Sequence, residues 1–414
     1  MTGWWWKLSN IKVLKFGGTS VGNVGRIRHV AGVIAEAANS EKVVVVVSAM
    51  GGTTDYLMRL AKQCSKTPEK RELDLLLSTG EQVSIALLAM TLNDLGIKAK
   101  SLTAQQIGIF TESKHTNARI IDIKKENILE QLRENDALIV AGFQGITEHG
   151  DVTTLGRGGS DTTAVALAAQ IEALECDIYT DVDGIYTSDP RVVPEAALLD
   201  RVSYSEVLEM ARLGARVIHS RAVELARVYN VDLRIRNTFK PGEPGTLITG
   251  GDMEIFRSIS AVAVDKDQAA VAIMNVPDQP GIAGKIAQAL ASRNIGLDMI
   301  MQSFHPSSGH NSITFTVQDD ALDEIGEVME SLKSELGASD VQTDPDCAKV
   351  SLIGAGLMEQ PDIPARLFNA LGEAGINIKL ISSSEAKISC IVARKDADEA
   401  ARQIHAAFEL ATHK

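Results

Sequence analysis

The sequence predicts an α/β protein, with a doubly wound, mainly parallel sheet over its first 250 residues and two ferredoxin-like βαββαβ units after it. Three observations carry this prediction. VVVVVSAM (43–50) is an unbroken β-branched run, as in a parallel strand buried on both faces. Strands and helices alternate on both sides of it. QPGIAGKIAQALASRNIGLDMI (279–300) aligns without gaps on QPDIPARLFNALGEAGINIKLI (360–381), so one small unit occurs twice.

IKVLKFG (11–17) opens the order as a strand, and GRIRHVAGVIAEAANS (25–40) follows as an amphipathic helix. EQVSIALLAMTLNDLG (81–96) reads as a helix beginning at Glu81, with Gly96 suited to its C-terminal end. ALIVAGF (137–143), CDIYTDV (176–182) and VDLRIRN (231–237) read as strands, and TTAVALAAQIEAL (162–174) as a helix of small and apolar residues. TFKPGEPGTLITGGD (238–252), rich in Gly and Pro, reads as a boundary. The divisions are an extension at 1–10, a large domain at 11–250, and the two copies at 251–340 and 341–414. Each copy reads as strand, helix, short strand, strand and helix, a duplicated unit that pairs with itself or with another chain.

The 414 residues are 45% hydrophobic and 23% charged, with a net charge of −13. That balance argues against nucleic acid or an anionic membrane as partner, and leaves a small anionic substrate open. Cys64, Cys176, Cys347 and Cys390 form no C-x-x-C pair, so no zinc or redox motif is expected, and a reduced cytoplasm is the simple reading. No apolar run approaches the ~18 residues of a membrane span. MTGWWWKLSN lacks the features of a signal peptide. Trp4, Trp5 and Trp6 read as an extension packed on a surface or as an oligomer contact.

Five loops rich in glycine or hydroxyls follow predicted strands or open helices. KFGGTS (15–20) places Lys15 before Gly17 and Gly18, the reverse of a P-loop. Its glycines let backbone N–H groups approach an anion, Lys15 adds charge, and Thr19 and Ser20 add hydroxyls. A tight turn is the plainer alternative. TTLGRGGSD (153–161) combines Gly156, Gly158 and Gly159 with Arg157, which can grip a carboxylate with two N–H groups. Asp161 there reads as a helix cap or as a group orienting a lysine. TDVDGIYTSDPR (180–191) reads as an Asp-rich turn or as a holder of base and ribose. SAMGGTTD (48–55) and STGEQVS (78–84) complete the set, with Glu81 read as serving the helix dipole unless other groups draw on it. His29, His115 and His219 show no metal-ligand rhythm and read as structural.

Together KFGGTS, SAMGGTTD, STGEQVS, AGFQG (141–145), TTLGRGGSDTTAVALAA and TDVDGIYTSDPR resemble the aspartokinases, of the amino acid kinase fold, and the C-terminal pair looks like their two ACT domains. The resemblance runs from about residue 11 over nearly the whole chain. It implies transfer of the γ-phosphoryl group of ATP to the side-chain carboxylate of L-aspartate, the first step toward lysine, threonine and methionine. It implies that Lys15, Gly17, Gly18 and Ser20 hold phosphate, with Asp161 orienting Lys15. Thr54, Glu81, Phe143, Arg157, Gly158, Gly159 and Ser160 are implied around the amino acid, where Glu81 would take the ammonium group and Arg157 a carboxylate. Ser48, Thr180, Asp181, Tyr186 and Arg191 are implied around the nucleotide, with Lys240 as a second phosphate lysine. Mg²⁺ is expected to arrive with ATP, with no protein cage of its own.

The ACT resemblance implies inhibition by lysine, threonine or both. In the first copy Asp278 would take the effector's ammonium group, the N–H groups of Gly281, Ile282 and Ala283 its carboxylate, and Gln302 faces them. The second copy has Asp362 and Pro364 where the first has Gly281 and Ala283, so one acid and one missing N–H oppose a carboxylate. The first copy is therefore expected to carry the main effector site, completed by the second copy's strand end at Ile381, Ser382, Ser383 and Glu385. A homo-oligomer paired through the ACT units is expected, and Met253 marks a place where a separate regulatory subunit could begin. The rival readings are a kinase for another amino acid, such as glutamate, and a catalytically silent amino-acid sensor.

Overall fold

The computed structural model describes residues 11–173, 175–213, 217–250, 259–303, 309–354, 357 and 360–412. Trp4 to Trp6 and Met253 lie outside them. From one edge to the other, the largest sheet contains Arg201–Ser203 (β10), Thr246–Thr249 (β12), Leu233–Asn237 (β11), Cys176–Thr180 (β9), Ile11–Phe16 (β1), Lys42–Val47 (β2), Ala137–Ala141 (β6) and Ala99–Leu102 (β3). Every pairing is parallel except β11 with β12. β2 is the KVVVVV run, and its five valines are fully buried.

Val24–Ala38 (α1) and Lys70–Asp94 (α3) cover one face, burying Ile27, Ile34, Ile85, Leu88 and Leu92 against β1, β2 and β6. Gly159–Ile171 (α6), Tyr204–Arg212 (α7) and Ser220–Tyr229 (α8) cover the other, with Lys125–Glu134 (α5) beside them. Thr53–Cys64 (α2) packs on α3, and Ala104–Ile107 (α4) starts from a capping box on Thr103 and Gln106. A small four-stranded sheet runs Ile120–Ile123 (β5), Ile109–Thr111 (β4), Gln144–Ile146 (β7) and Val152–Thr154 (β8).

Two sequence expectations are corrected here. α3 begins at Lys70, eleven residues before Glu81, so Glu81 lies mid-helix and does not serve a helix end. α3 is also long and apolar enough to cross a membrane by length and composition alone, contrary to the reading that no segment is. Its apolar face lies in the core of the α/β domain.

The repeated units share one six-stranded sheet, ordered Ile300–Gln302 (β14), His310–Gln318 (β15), Ala261–Pro277 (β13), Asp340–Ile353 (β16), Lys387–Ala393 (β18) and Leu380–Ser384 (β17). Ile282–Ser292 (α9) and Leu322–Leu336 (α10) pack on the first half of this sheet, and Asp362–Glu373 (α11) and Ala397–Ala407 (α12) on the second. β13 and β16 span both halves. Ala261–Asp265 pairs with the end of β16 in the second copy's half, whereas Gln268–Pro277 pairs with β15 in the first. The register shift between Asp265 and Gln268 divides the two. The second copy's half thus takes its fourth strand from residues 261–265, at the start of the first copy.

The second copy also packs on the large domain. Val262 N–H donates to Thr187 O at 2.7 Å, and the buried His405 ring on α12 lies 2.9 Å from Thr187 Oγ1. Lys387 pairs with Glu209 of α7 at 3.0 Å, and Val193 belongs to the second copy's core.

Candidate active site

Because β1, β2, β6 and β9 are parallel, the loops that leave them open at one edge of the sheet, where α/β proteins bind ligands. These loops touch each other. A Cβ on Gly18 would lie 2.9 Å from Ala49 O, and one on Gly142 2.7 Å from Ser160 Oγ. KFGGTS therefore rests on SAMGG, and the end of β6 rests on the start of α6, at distances only glycine allows.

Lys15 is the penultimate residue of β1, and its Nζ lies 2.5 Å from Asp161 Oδ1. Both side chains are nearly buried. Gly158 is the N-cap of α6 and Asp161 lies in the first turn, so the carboxylate faces Lys15 and the cap alternative falls away. A Cβ on Gly17 would stand 3.5 Å from Lys15 Nζ, an ordinary contact that places the ammonium beside this glycine. Ser20 is placed differently from expectation. It is fully buried and hydrogen-bonds Thr238 Oγ1 at 2.6 Å, tying the loop from behind.

Glu81 is 2% exposed. Its Oε1 accepts from Ala49 N–H at 3.1 Å, and its Oε2 has no hydrogen-bond partner. Burial pushes its carboxyl up to about 7, well above the ordinary 4.5. A buried carboxylate with an unused oxygen calls for a cation. Thr54 lies in the first turn of α2, and the preceding Thr53 faces Gly80 of α3, where a Cβ would meet Thr53 at 3.4 Å and Ala49 at 2.8 Å. Arg157 is exposed and makes no ion pair among the described residues. Phe143 adopts φ +69°, which turns the AGFQG loop onto Gly159.

The loop after β9 is organised by Asp183, which sequence reasoning did not single out. Its Oδ2 accepts from Lys240 Nζ at 2.8 Å and Tyr186 Oη at 3.3 Å, and its Oδ1 from Asn237 Nδ2 at 2.5 Å. The Lys240 and Asn237 bonds hold the Asp183 carboxyl below its ordinary range. Lys240 is thus brought from the Gly/Pro boundary to the 180–191 loop. Thr180 and Asp181 bond each other at 3.2 Å there. Arg191 is exposed and engaged by Asp189 through both its Nε and Nη2, at 2.7–3.2 Å. Ser48 is half-buried at the end of β2, with its N–H on Phe16 O. Among the described residues no group of three or more His, Cys, Asp and Glu side chains could hold a metal ion.

Gly158 carries a prediction of its own. It sits at φ +68°, and a Cβ would lie 2.2 Å from the His219 ring. Gly158→Ala is expected to destabilise the fold by about 1–3 kcal/mol in urea unfolding. His219→Ala in the same chain should recover the clash component.

In the C-terminal sheet, Asp278, Gly281, Ile282, Ala283 and Gln302 line one cavity of about 230 Å³, together with Asn311 and Ile313. Gly281, at φ +97°, is the N-cap of α9. Ile381, Ser382 and Ser383 do not complete this cavity. They lie on β17, and Glu385 in the turn after it, at the opposite edge of the sheet from β14. The placement of those four residues in the same pocket within one chain is corrected accordingly.

Comparison with known proteins adds the family. The amino acid kinase family model matches residues 10–237 and the ACT domain model residues 350–408. The chain is 47% identical over 403 residues to an aspartokinase of Thermus thermophilus, covering 96% of this chain and 98% of that one. It superposes on E. coli aspartokinase III in complex with aspartate and ADP, described as the R-state, with a TM-score of 0.76 and 26% identity, over 96% of this chain and 99% of the other. The T-state structure of that enzyme with lysine and aspartate gives a TM-score of 0.77 at the same identity and coverage. The chain belongs to the amino acid kinase family, and within it to the aspartokinases.

Proposed function

We propose that this chain transfers the γ-phosphoryl group of ATP to the side-chain carboxylate of L-aspartate, releasing 4-phospho-L-aspartate and ADP. The observation that carries the reading is the pair formed by Lys15 near the end of β1 and Asp161 in the first turn of α6, together with a buried Glu81 oxygen that lacks a partner. A carboxylate with a pKa near 4 is already ionised at neutral pH, so the nucleophile needs no general base. The reaction needs two anions aligned and the charge of the moving phosphoryl group neutralised. Lys15 and the N–H group of Gly18 supply that neutralisation, with the Gly17 N–H, which donates to Tyr179 O at 3.4 Å, beside them, and Asp161 fixes Lys15 in place. Glu81 receives the α-ammonium group and Arg157 the α-carboxylate, with Thr54, Phe143 and Ser160 around them. Ser48, Thr180, Asp181, Tyr186 and Arg191 surround the nucleotide, and Lys240, set by Asp183, reaches its phosphates. Mg²⁺ enters with ATP, held by phosphate oxygens and water.

The test is ADP release from Mg-ATP on adding L-aspartate or L-glutamate. Aspartate-dependent release supports the reading, and release only with glutamate overturns the substrate while keeping the fold.

Regulation is read from the cavity around Asp278. Its size and its N–H-lined rim at α9 suit the ammonium and carboxylate of an amino acid, and lysine or threonine is the proposed effector. Asp278→Ala is expected to weaken inhibition at least about 10-fold while leaving uninhibited turnover unchanged. Unchanged inhibition by both amino acids would sink this placement. The proposed units are 11–250 for catalysis, 251–340 and 341–414 for the ACT pair, with strand 261–265 lent to the second. A cytoplasmic homo-oligomer joined through the ACT sheet completes the proposal, with a regulatory subunit started at Met253 as its variant form. The four unpaired cysteines are in keeping with a reducing compartment.

A further inference from the structure

We infer that Asp74 is a positioning residue for the loop carrying Arg157, and that one face of α3 sets the spacing of the loops around the acceptor. Asp74, Ser78 and Glu81 recur at i, i+4 and i+7, which places them on one side of the helix. All three are buried. Each engages a different loop of the site. Glu81 accepts from Ala49 N–H, and the Ser78 carbonyl accepts from Gln144 Nε2 at 3.1 Å, next to the AGFQG turn. Asp74, with 0% exposure, accepts from Thr154 Oγ1 at 2.6 Å through Oδ1. Its Oδ2 accepts from Thr116 N–H at 2.9 Å and from His115 Nδ1 at 3.0 Å. A carboxylate only accepts, so His115 Nδ1 carries the proton.

Thr154 stands three residues before Arg157. Arg157 makes no ion pair of its own among the described residues, so its place depends on its backbone. That backbone is braced a second time by the 115–118 segment, which Asp74 also holds. Ala118 N–H donates to Thr154 O at 2.9 Å, and Thr116 O lies 3.3 Å from where a Gly156 Cβ would be. Arg221 bridges the same two segments, donating to Leu155 O at 2.7 Å and Ala118 O at 2.8 Å. Thr116 has φ +71°, a strained setting for a β-branched residue, and its N–H bond to Asp74 helps to keep it there. One carboxylate therefore fixes both layers under Arg157. An amide at position 74 offers one accepting oxygen and turns an NH₂ group toward donors that need an acceptor.

This inference rests on the reading of Arg157 and Glu81 as the acceptor site, and its test has one arm that does not. Asp74→Asn and the milder Thr154→Val are compared with the unaltered full chain by steady-state kinetics and by amide hydrogen exchange. Asp74→Asn is expected to raise KM for L-aspartate about 10-fold or more, with kcat and KM for ATP within about twofold. Thr154→Val should move the same way by less. Exchange should quicken at 115–118 and 153–158 and stay unchanged at 43–50. A parallel rise of both KM values, or unchanged exchange at 153–158 in a folded variant, overturns the proposal. If the unaltered enzyme uses another acceptor or none, the functional reading fails and the exchange arm alone decides the role of Asp74.

Discussion

Lys15→Met is expected to lower kcat by roughly 10³-fold, the scale seen when a preorganised group facing transition-state charge is lost. Lys15 Nζ lies beside Gly17, and its ion pair with Asp161 permits it few other positions. The substitution also leaves the nearly buried Asp161 carboxylate without its partner, so some loss of stability is expected with the loss of rate. Lys15→Met combined with Asp161→Asn separates the two effects. The double variant should regain thermal stability and remain as slow as the single one. Recovery of turnover along with stability would mean that Lys15 serves the fold and not the phosphoryl group.

Glu81→Gln is expected to raise KM for L-aspartate by roughly 10²-fold, since truncating one member of a buried charge pair costs about 2–5 kcal/mol. The pH behaviour tests the same group without substrate. Its carboxyl sits at about 7 in the folded chain against 4.5 ordinarily, so the folded state holds the proton more tightly than the unfolded one. The resulting stabilisation is fully present below pH 4.5 and is lost as pH rises toward 7, by about 3 kcal/mol in all. Glu81→Gln should abolish that slope. The acceptor's ammonium group calls for the ionised form, so KM for L-aspartate in the unaltered enzyme should fall as pH rises from 6 to 8. A KM independent of pH in that range would contradict the assignment of Glu81 to the ammonium group.

How much of this was legible in the sequence depended on the distance over which each feature is determined. The KVVVVV strand and the glycine loops are local signals, and the structure places that strand inside the largest sheet, with the loops after β1, β2 and β9 at the carboxyl ends of their strands. The helix expected to begin at Glu81 begins at Lys70, and STG, with the composition of a turn, lies inside it. Gly80 is tolerated mid-helix because a Cβ there would lie 2.8 Å from that of Ala49, a contact no local pattern reveals. Strands of three or four residues, such as those in the small sheet, are too short for alternation to show. Non-local partners account for the other differences. Ser20 meets Thr238, Asp183 meets Lys240, and Asp74 meets Thr154, each across more than fifty residues. The placement of strand 261–265 in the second copy's half is of the same kind, since it pairs Ala261 with Ile353 and Asp265 with Lys349.

The most direct test of the account is to incubate the full chain with Mg-ATP, L-aspartate and hydroxylamine, and to identify the trapped product by mass spectrometry. The account predicts the β-hydroxamate of aspartate, formed with one ADP per turnover and absent when Lys15 is Met. ADP formation without any aspartyl hydroxamate would contradict it, because the phosphoryl group would then be going somewhere other than the side-chain carboxylate.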